Sequence, residues 1–461
     1  MITDIISCKK PLFSCDADTE LRIQENRNRR VAFFGGNLTA NVRAEVSGIS
    51  ARVYKNGVYG FSSIAECSAE AAERVLKAAD ENAAFMSTHA GKGKGMLPPV
   101  HAPKFDCGEV INDPEQKMYI DYLKELDAHI AAKYPKLISR AVVVSADSME
   151  KYIVTSGASD AHVILPRSYI YLIFTAMGQD GTPIELFAPV GGYGTFDKNF
   201  TSFDEIHEEA DKLYEKIMKK CEGVHAEAGL KTCVIGPELT GMLAHEAVGH
   251  TVEADLVLGG SVAASSLGKQ VASEMVTLVD YANTAFGKTA PLPIYVDDEG
   301  TVAEDATIIK DGILVGYMNN RETAEHFGMK PQGNARAYNF SDEPLIRMRN
   351  TAVNPGTSSL EEMIESIDDG YYFIDTNNGQ ADTTGEFMFG ITYGYEIKKG
   401  KLGKAILDTT ISGVAFEMLK TVDMIGSEVG WSSSGVCGKK QPMPVGLGGP
   451  ALRCRLMVGG R

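Results

Sequence analysis

The run His245-Glu246-Ala247-Val248-Gly249-His250 constrains this chain more than any other stretch, because it asks something of a helix that a regular helix cannot supply. Two neutral imidazoles can hold a divalent transition metal, and a carboxylate beside them can take a proton from water that the metal has acidified. The common HExxH arrangement sets its histidines four apart, on one helical face. Here they stand five apart, which at 3.6 residues per turn rotates the second side chain by about 140° from the first. Both rings reach one ion only if the backbone is locally wide, as in a single-turn π-bulge, or if the helix ends between them. Gly249, directly before His250, tolerates that distortion.

The flanks supply the rest of the helix. Lys231 to Ile235 reads as a strand, and Gly236-Pro237 starts the helix, because proline suits its first position. Leu239, Met242 and Leu243 then give it an apolar face that anchors it to a core. The competing reading makes His245 and His250 ordinary histidines and Glu246 a solvated charge. With only nine histidines in 461 residues, two in one six-residue run favour the metal.

Two histidines leave a catalytic zinc one protein ligand short. The eight cysteines form no CxxC pair, which excludes a zinc ribbon or a thioredoxin-like motif, and their irregular spacing suits reduced thiols. Cys233, in the run Cys233-Val234-Ile235, reads as part of a core strand, and Cys454 faces the core of an alternating tail. Cys437 sits in a glycine-containing loop followed by lysines, a setting that permits close approach and favours the thiolate. By residue type alone, Cys437 leads the cysteines, with an Asp or Glu ligand still open.

Composition narrows the function classes. A net charge of −16 offers no basic stripe to nucleic acid phosphates, and no apolar stretch is long enough for a transmembrane helix. Met1 to Pro11 lacks the order of a secretory signal, so the cytoplasm is expected. The glycine clusters Gly91 to Gly95, Gly191 to Gly194 and Gly446 to Gly449 lack phosphate-cradle spacing and read as turns. His207-Glu208 finds no second histidine and reads as a solvated helix face.

The chain reads as an α+β protein dividing near residues 222–230. The expectation is an amino-terminal mixed α/β domain, residues 1–225, and a carboxyl-terminal β-rich domain, residues 226–461, that carries the metal-site helix. The first domain shows strands followed by a helix twice. Leu21 to Gln24, Val31 to Phe34, Val42 to Val46 and Ala51 to Tyr54 precede the helix Ser68 to Phe85. Arg140 to Ser145, Lys151 to Thr155, His162 to Ala176 and Ile184 to Phe187 precede the helix Phe203 to Lys220. Between them lie a loop from Gly91 to Pro99 and a helix from about Pro114 to Lys133, which reads as two similar strand-strand-strand-helix halves, the alternative being a single mixed sheet with no internal symmetry. In the second domain, Asp311-Gly312 and Lys399-Gly400 read as hairpin turns. They join Ala306 to Lys310 with Ile313 to Met318, and Ile391 to Ile397 with Ala405 to Leu407, while Leu360 to Ile367 reads as helix. An open strand edge there would suit an extended peptide, with Gly390 to Tyr395 either lining it or lying inside the sheet.

Several separate motifs, in order, resemble the TldD/PmbA family of metallopeptidases, once named modulators of DNA gyrase. They are His245 to His250, Asp297-Asp298-Glu299-Gly300-Thr301, Asp311 to Tyr317, Gly333-Asn334-Ala335-Arg336, Pro344 to Thr351, and Cys437-Gly438-Lys439 with Pro444-Val445-Gly446. The chain departs from the family where Ala337 follows Arg336, in place of an expected second arginine. The resemblance implies His245, His250 and Cys437 as ligands of one zinc per chain and Glu246 as catalytic base. PmbA-type subunits typically lack the metal motif, so this chain resembles the active TldD type. It further implies hydrolysis of small or unfolded peptides and a homodimer or a heterodimer with a PmbA-type subunit, while the net charge of −16 means that the older gyrase name does not signal DNA binding. The alternative is a non-catalytic peptide-handling or assembly subunit of such a complex. A donor to the developing oxyanion is expected, with Arg336 and Tyr393 as candidates, a structural role for each being the equal alternative.

Overall fold

The computed structural model describes residues 13, 17–89, 97, 104–107, 114–157 and 159–460. Met1 to Pro11, Cys8, Cys15 and most of the loop Gly91 to Pro99 lie outside them.

A seven-stranded sheet is built from β1 (Asp18–Phe34), β2 (Asn37–Lys55), β3 (Val58–Ile64), β4 (Phe105–Asp106), β5 (Ser139–Thr155), β6 (Asp160–Met177) and β7 (Pro183–Tyr193). Its order is β3-β2-β1-β5-β6, with both β4 and β7 on the far edge of β6. Each half is three antiparallel strands followed by a helix, α1 (Ala69–His89) in the first and α3 (Asp204–Cys221) in the second, with α2 (Gln116–Lys133) between. The expected halves are present, but their strands are longer and fewer. Leu21 to Gln24 and Val31 to Phe34 are one strand, because the polar stretch between them finds partners on the neighbouring strand and in the carboxyl-terminal half. Buried Arg29 pairs with Glu45, and the Asn26 amide donates to the Tyr338 carbonyl. Val58–Ile64 was not expected, although Asn56-Gly57, a hairpin-type turn with positive φ at both residues, joins it to β2.

The second sheet has eleven strands. These are β8 (Gly229–Ile235), β9 (Leu278–Tyr281), β10 (Ala306–Lys310), β11 (Ile313–Leu314), β12 (Asn350–Val353), β13 (Asp369–Ala381), β14 (Glu386–Lys398), β15 (Lys401–Ala405), β16 (Thr409–Val414), β17 (Met424–Ser432) and, after two short strands, β20 (Gly446–Val458). The two short strands are β18 (Val436–Cys437) and β19 (Met443–Pro444), which pair with each other. β8, β13, β14, β16 and β20 pair in turn, and β20 returns to β8, so five strands close a ring. Both expected hairpin turns form, with φ of 48° and 80° at Asp311-Gly312 and 52° and 71° at Lys399-Gly400. Gly390 to Tyr395 is bracketed by β13 on one side and by β15 and β16 on the other, so it is sheet interior and not an open edge.

The ring seats the motif helix. α4 (Pro237–Met242) continues into the motif, and Leu239, Leu243, Ala244, Ala247 and Val248 share one buried cluster with Phe373, Phe389, Ile391, Leu452 and Leu456 of the strands. The helix can lie this close to β20 because residue 241 is glycine. A Cβ there would stand 2.6 Å from both the Gly448 nitrogen and the Leu447 carbonyl carbon.

The two sheets are joined by buried charge. Asp298 accepts Lys151 Nζ of β5 at 2.9 and 2.7 Å and lies 3.4 Å from the Arg22 guanidinium of β1. Burial alone would raise its pKa, but Lys151 and Arg22 outweigh burial and hold it below the usual carboxylate value. Arg52 of β2 bridges Glu20 and Glu299. The acidic motif from Asp297 to Glu299 therefore fastens the second sheet to the first.

Gly241→Ala is expected to lower stability by about 1–3 kcal/mol, because backbone rather than a flexible side chain blocks the added methyl. Urea denaturation midpoints check this, with Gly192→Ala, whose Cβ would meet nothing within 4 Å, left near the parent value.

Candidate metal centre

The backbone between the two histidines is a π-helix, Leu243–Gly249, followed by one 3-10 turn, His250–Val252. The π-type bond joins the two motif residues themselves, since the His250 N–H donates to the His245 carbonyl. One wide turn thus absorbs the fifth residue and brings the rings to one side, 5.1 Å apart and nearly perpendicular. The distortion spans seven residues rather than gathering at Gly249. What Gly249 provides is room, because a Cβ there would collide with the Met348 sulfur.

Cys437 arrives from the tail on β18, and its sulfur lies 3.3 Å from His250 Nε2. The donor atoms of His245, His250 and Cys437 all lie within 4.8 Å of one another. Cys454 goes elsewhere. It faces Cys233 across paired strands, fully buried, and burial pushes its thiol up to about 12. For Cys437 burial acts in the same direction, but the His245 and His250 imidazoles outweigh it and bring the thiol down to about 4. The pocket thereby favours anionic sulfur, the form that binds metals.

His245 is 1% exposed, and neither ring nitrogen has a hydrogen-bond partner among the described residues. Buried polar atoms are rarely left so, and an ion would satisfy one of the two. His250 is held differently. Its Nδ1 lies 2.7 Å from the Glu253 carboxylate, which leaves Nε2 facing Cys437. This is the carboxylate-histidine pairing that fixes the tautomer and orientation of a metal-binding ring. Glu246 sits between the imidazoles, with its oxygens 3.8 Å from His245 Nε2 and 3.7 Å from His250 Nε2. Those distances exceed hydrogen bonds and leave space for a small species between.

Three residues whose part the sequence does not announce hold this arrangement. Arg347, fully buried, donates to the carbonyls of Cys437, Lys439 and Gln441 at 2.8, 3.1 and 2.8 Å and so fixes the tail loop. Lys439 reaches Asp255 at 2.8 Å and Glu253 at 3.3 Å, tying the same loop to the motif helix. Glu253 was legible in part, because it follows His250 by three residues, one helical turn on the same face. The two oxyanion candidates have structural work instead. Arg336 is buried and donates to the Met348 carbonyl, and the Tyr393 hydroxyl pairs with that of Tyr395 in the core shared with α3.

A cavity of about 370 Å³ runs along the loop that leads to Cys437, with Ser432 to Gly435 on its wall and none of His245, Glu246, His250 or Cys437 lining it. Met242 and Leu447 line it and also pack around Cys437, while Tyr169 and Phe187 reach it from the first sheet. Glu238 lies on its wall, where burial and then the nearby Asp375 push its carboxyl up to about 7.

Residues 229–460 match the family model described as PmbA/TldA metallopeptidase C-terminal domain, and residues 19–83 match PmbA/TldA metallopeptidase domain 1. A "Metalloprotease" of Methanothermobacter thermautotrophicus is 31% identical over 458 residues, covering 96% of this chain and 95% of that protein. A "Zinc metalloprotease TldD homolog" of Saccharolobus solfataricus is 30% identical, covering 77% and 78%. The crystal structure of TldE from Thermococcus kodakarensis superposes with a TM-score of 0.75 at 15% identity, over 98% of this chain and 100% of that one. A Thermotoga maritima structure described as a modulator of a DNA gyrase does so with a TM-score of 0.76 at 18% identity, over 99% of each. At these identities the structural likeness is one of fold.

The raised Glu238 carboxyl has a consequence for stability. Its folded pKa, about 7, exceeds the ordinary 4.5, so the folded state loses stability as pH rises from about 4.5 to 7 and gains none back above. Glu238→Gln is therefore expected to stabilise the protein by about 1–3 kcal/mol at pH 8 and to have no effect near pH 4, measured as unfolding midpoints at both values.

Proposed function

We propose that this chain, which belongs to the PmbA/TldD metallopeptidase family, is a zinc-dependent peptidase of the TldD type that hydrolyses small or unfolded peptides. The observation that carries this reading is the meeting of buried, unpartnered His245 with His250 and with the sulfur of Cys437, a residue 187 positions beyond His250. Two imidazoles and one thiolate suit zinc and leave its fourth position open, as in catalytic sites. Bound there, zinc would supply a Lewis acid for the peptide carbonyl and would acidify water.

The chain's own residues do the rest. Glu253 holds the Nδ1 proton of His250, so that Nε2 is free to bind. Glu246, partly open to solvent between the two rings, takes a proton from the attacking water and returns it to the leaving amine. The cavity near the Cys437 loop, with walls from both sheets, gives a peptide room within reach of this centre. Within this reading the domains are residues 1–225 and 226–461, in keeping with one sheet on each side of that boundary. The enzyme works in the cytoplasm as a homodimer or with a PmbA-type subunit. Among the described residues, no helix is long and apolar enough to cross a membrane.

Alanine at His245, His250 or Cys437 is expected to remove the zinc of this centre, measured by elemental analysis of protein grown in zinc-replete medium. Glu246→Gln is expected to keep that zinc and to slow peptide cleavage by at least about 10²-fold. A Glu246→Gln protein that cleaved as fast as the parent would remove Glu246 from the chemistry.

A further inference from the structure

A second group of metal-binding side chains lies on the other sheet. Asp106 ends β4, Cys107 follows it, and His162 stands on β6 in register with Asp106. The Asp106 carboxylate, the Cys107 sulfur and the His162 imidazole have donor atoms all within 4.8 Å of one another. The motif helix, β18 and the residues assigned to catalysis take no part in it.

His162 is held as a metal-binding histidine is held. Its Nε2 lies 3.1 Å from Glu150 Oε1, and the other Glu150 oxygen is fixed by Arg27 at 3.2 Å. Its ring stacks on Tyr152 with centroids 4.0 Å apart and planes 6° from parallel. The orientation is therefore set from behind and from one face, and Nδ1 is turned toward Asp106 at 2.9 Å. The carboxylate behind the ring repeats the role that Glu253 plays for His250.

β4 meets the sheet edge over a short span, and Phe105 also packs with Ala161, Val163 and Val296. It is two residues long, and Phe105↔Ala161, Asp106↔His162 and the Cys107 N–H to the His162 carbonyl make up its pairing with β6. Phe105 adds a stack against Tyr295 of the other sheet.

We infer that Asp106, Cys107 and His162 form a second divalent-metal site, taking zinc or a similar borderline-soft ion, which clasps β4 to the edge of the seven-stranded sheet. One thiolate and one carboxylate balance the charge of a dication, and imidazole with thiolate selects zinc over calcium or magnesium. The ion replaces the proton between His162 Nδ1 and Asp106 and the proton of the Cys107 thiol, so binding releases protons and weakens as pH falls. Three ligands leave one position for water, and the exposed Asp106 side chain leaves the site accessible to exchange.

The test uses the full chain. In zinc-replete medium the parent is expected to hold two zinc per chain, and Cys107→Ser and His162→Gln each to lose one of them while the zinc removed by Cys437→Ser stays. Cobalt then isolates the new site. In Cys437→Ser protein, added Co²⁺ is expected to give a near-ultraviolet thiolate-to-cobalt band that disappears when Cys107→Ser is added. This inference and the peptidase reading fail separately, because the first is lost with Cys107 and the second with Cys437. A Cys107→Ser protein with the parent's metal content would overturn the inference. So would a Cys437→Ser protein without the cobalt band, or with a band that survives loss of Cys107.

Discussion

The backbone hydrogen bond from the His250 N–H to the His245 carbonyl spans five residues, and the site depends on it. A regular helix would direct the two rings about 140° apart, and no placement of the tail could then bring one sulfur to both. A π-turn is a costly conformation, so something must hold it. Here the ring of five strands does, through Ala244, Ala247 and Val248, which are fully buried in the largest core cluster, and through glycine at 241 and 249, where side chains would push the helix away. The sheet's closure, the helix's width and the meeting of the imidazoles are one constraint seen at three scales.

The third donor comes by a separate route that the same core makes affordable. Arg347 has no exposure, and it spends its guanidinium on three carbonyls of one loop. Its two terminal nitrogens both donate to this loop while Nε has no partner among the described residues, so moving the loop would leave still more of a buried cation unpaired, and Cys437 has little freedom to go elsewhere. Lys439 ties the loop to Glu253 and Asp255, and Glu253 in turn orients His250. Helix and tail are thus coupled through charge as well as through the shared ring. A change at Arg347 would act on the proposed zinc centre without touching any of its three side chains.

Much of this was legible in the sequence, and the parts that were not share a cause. The five-residue spacing could be turned into a demand for a wide turn because helix geometry is local. The hairpin turns at Asp311-Gly312 and Lys399-Gly400 were legible for the same reason, since positive φ selects those residues. The strand-strand-strand-helix halves were visible, but alternation broke at the polar stretch near Arg29, whose partner Glu45 lies on the next strand. The position of Gly390 to Tyr395 inside the sheet could not be decided by pattern, because edge and interior differ only in what pairs on the far side. Arg347 and Lys439 were visible as residues but not as supports, because their partners are backbone carbonyls and acids 90 or more positions away. Arg336 and Tyr393 were oxyanion candidates by chemistry alone, and their hydrogen bonds lie in the core.

The central claim is that His245, His250 and Cys437 hold one zinc between the motif helix and the tail. An anomalous-difference map from crystals of the full chain, measured on both sides of the zinc absorption edge, tests it directly. A zinc peak is expected about 2.3 Å from Cys437 Sγ and about 2.0–2.1 Å from one nitrogen of each histidine. A map with no zinc among these three side chains, or with zinc bound through Cys454 instead of Cys437, would contradict it.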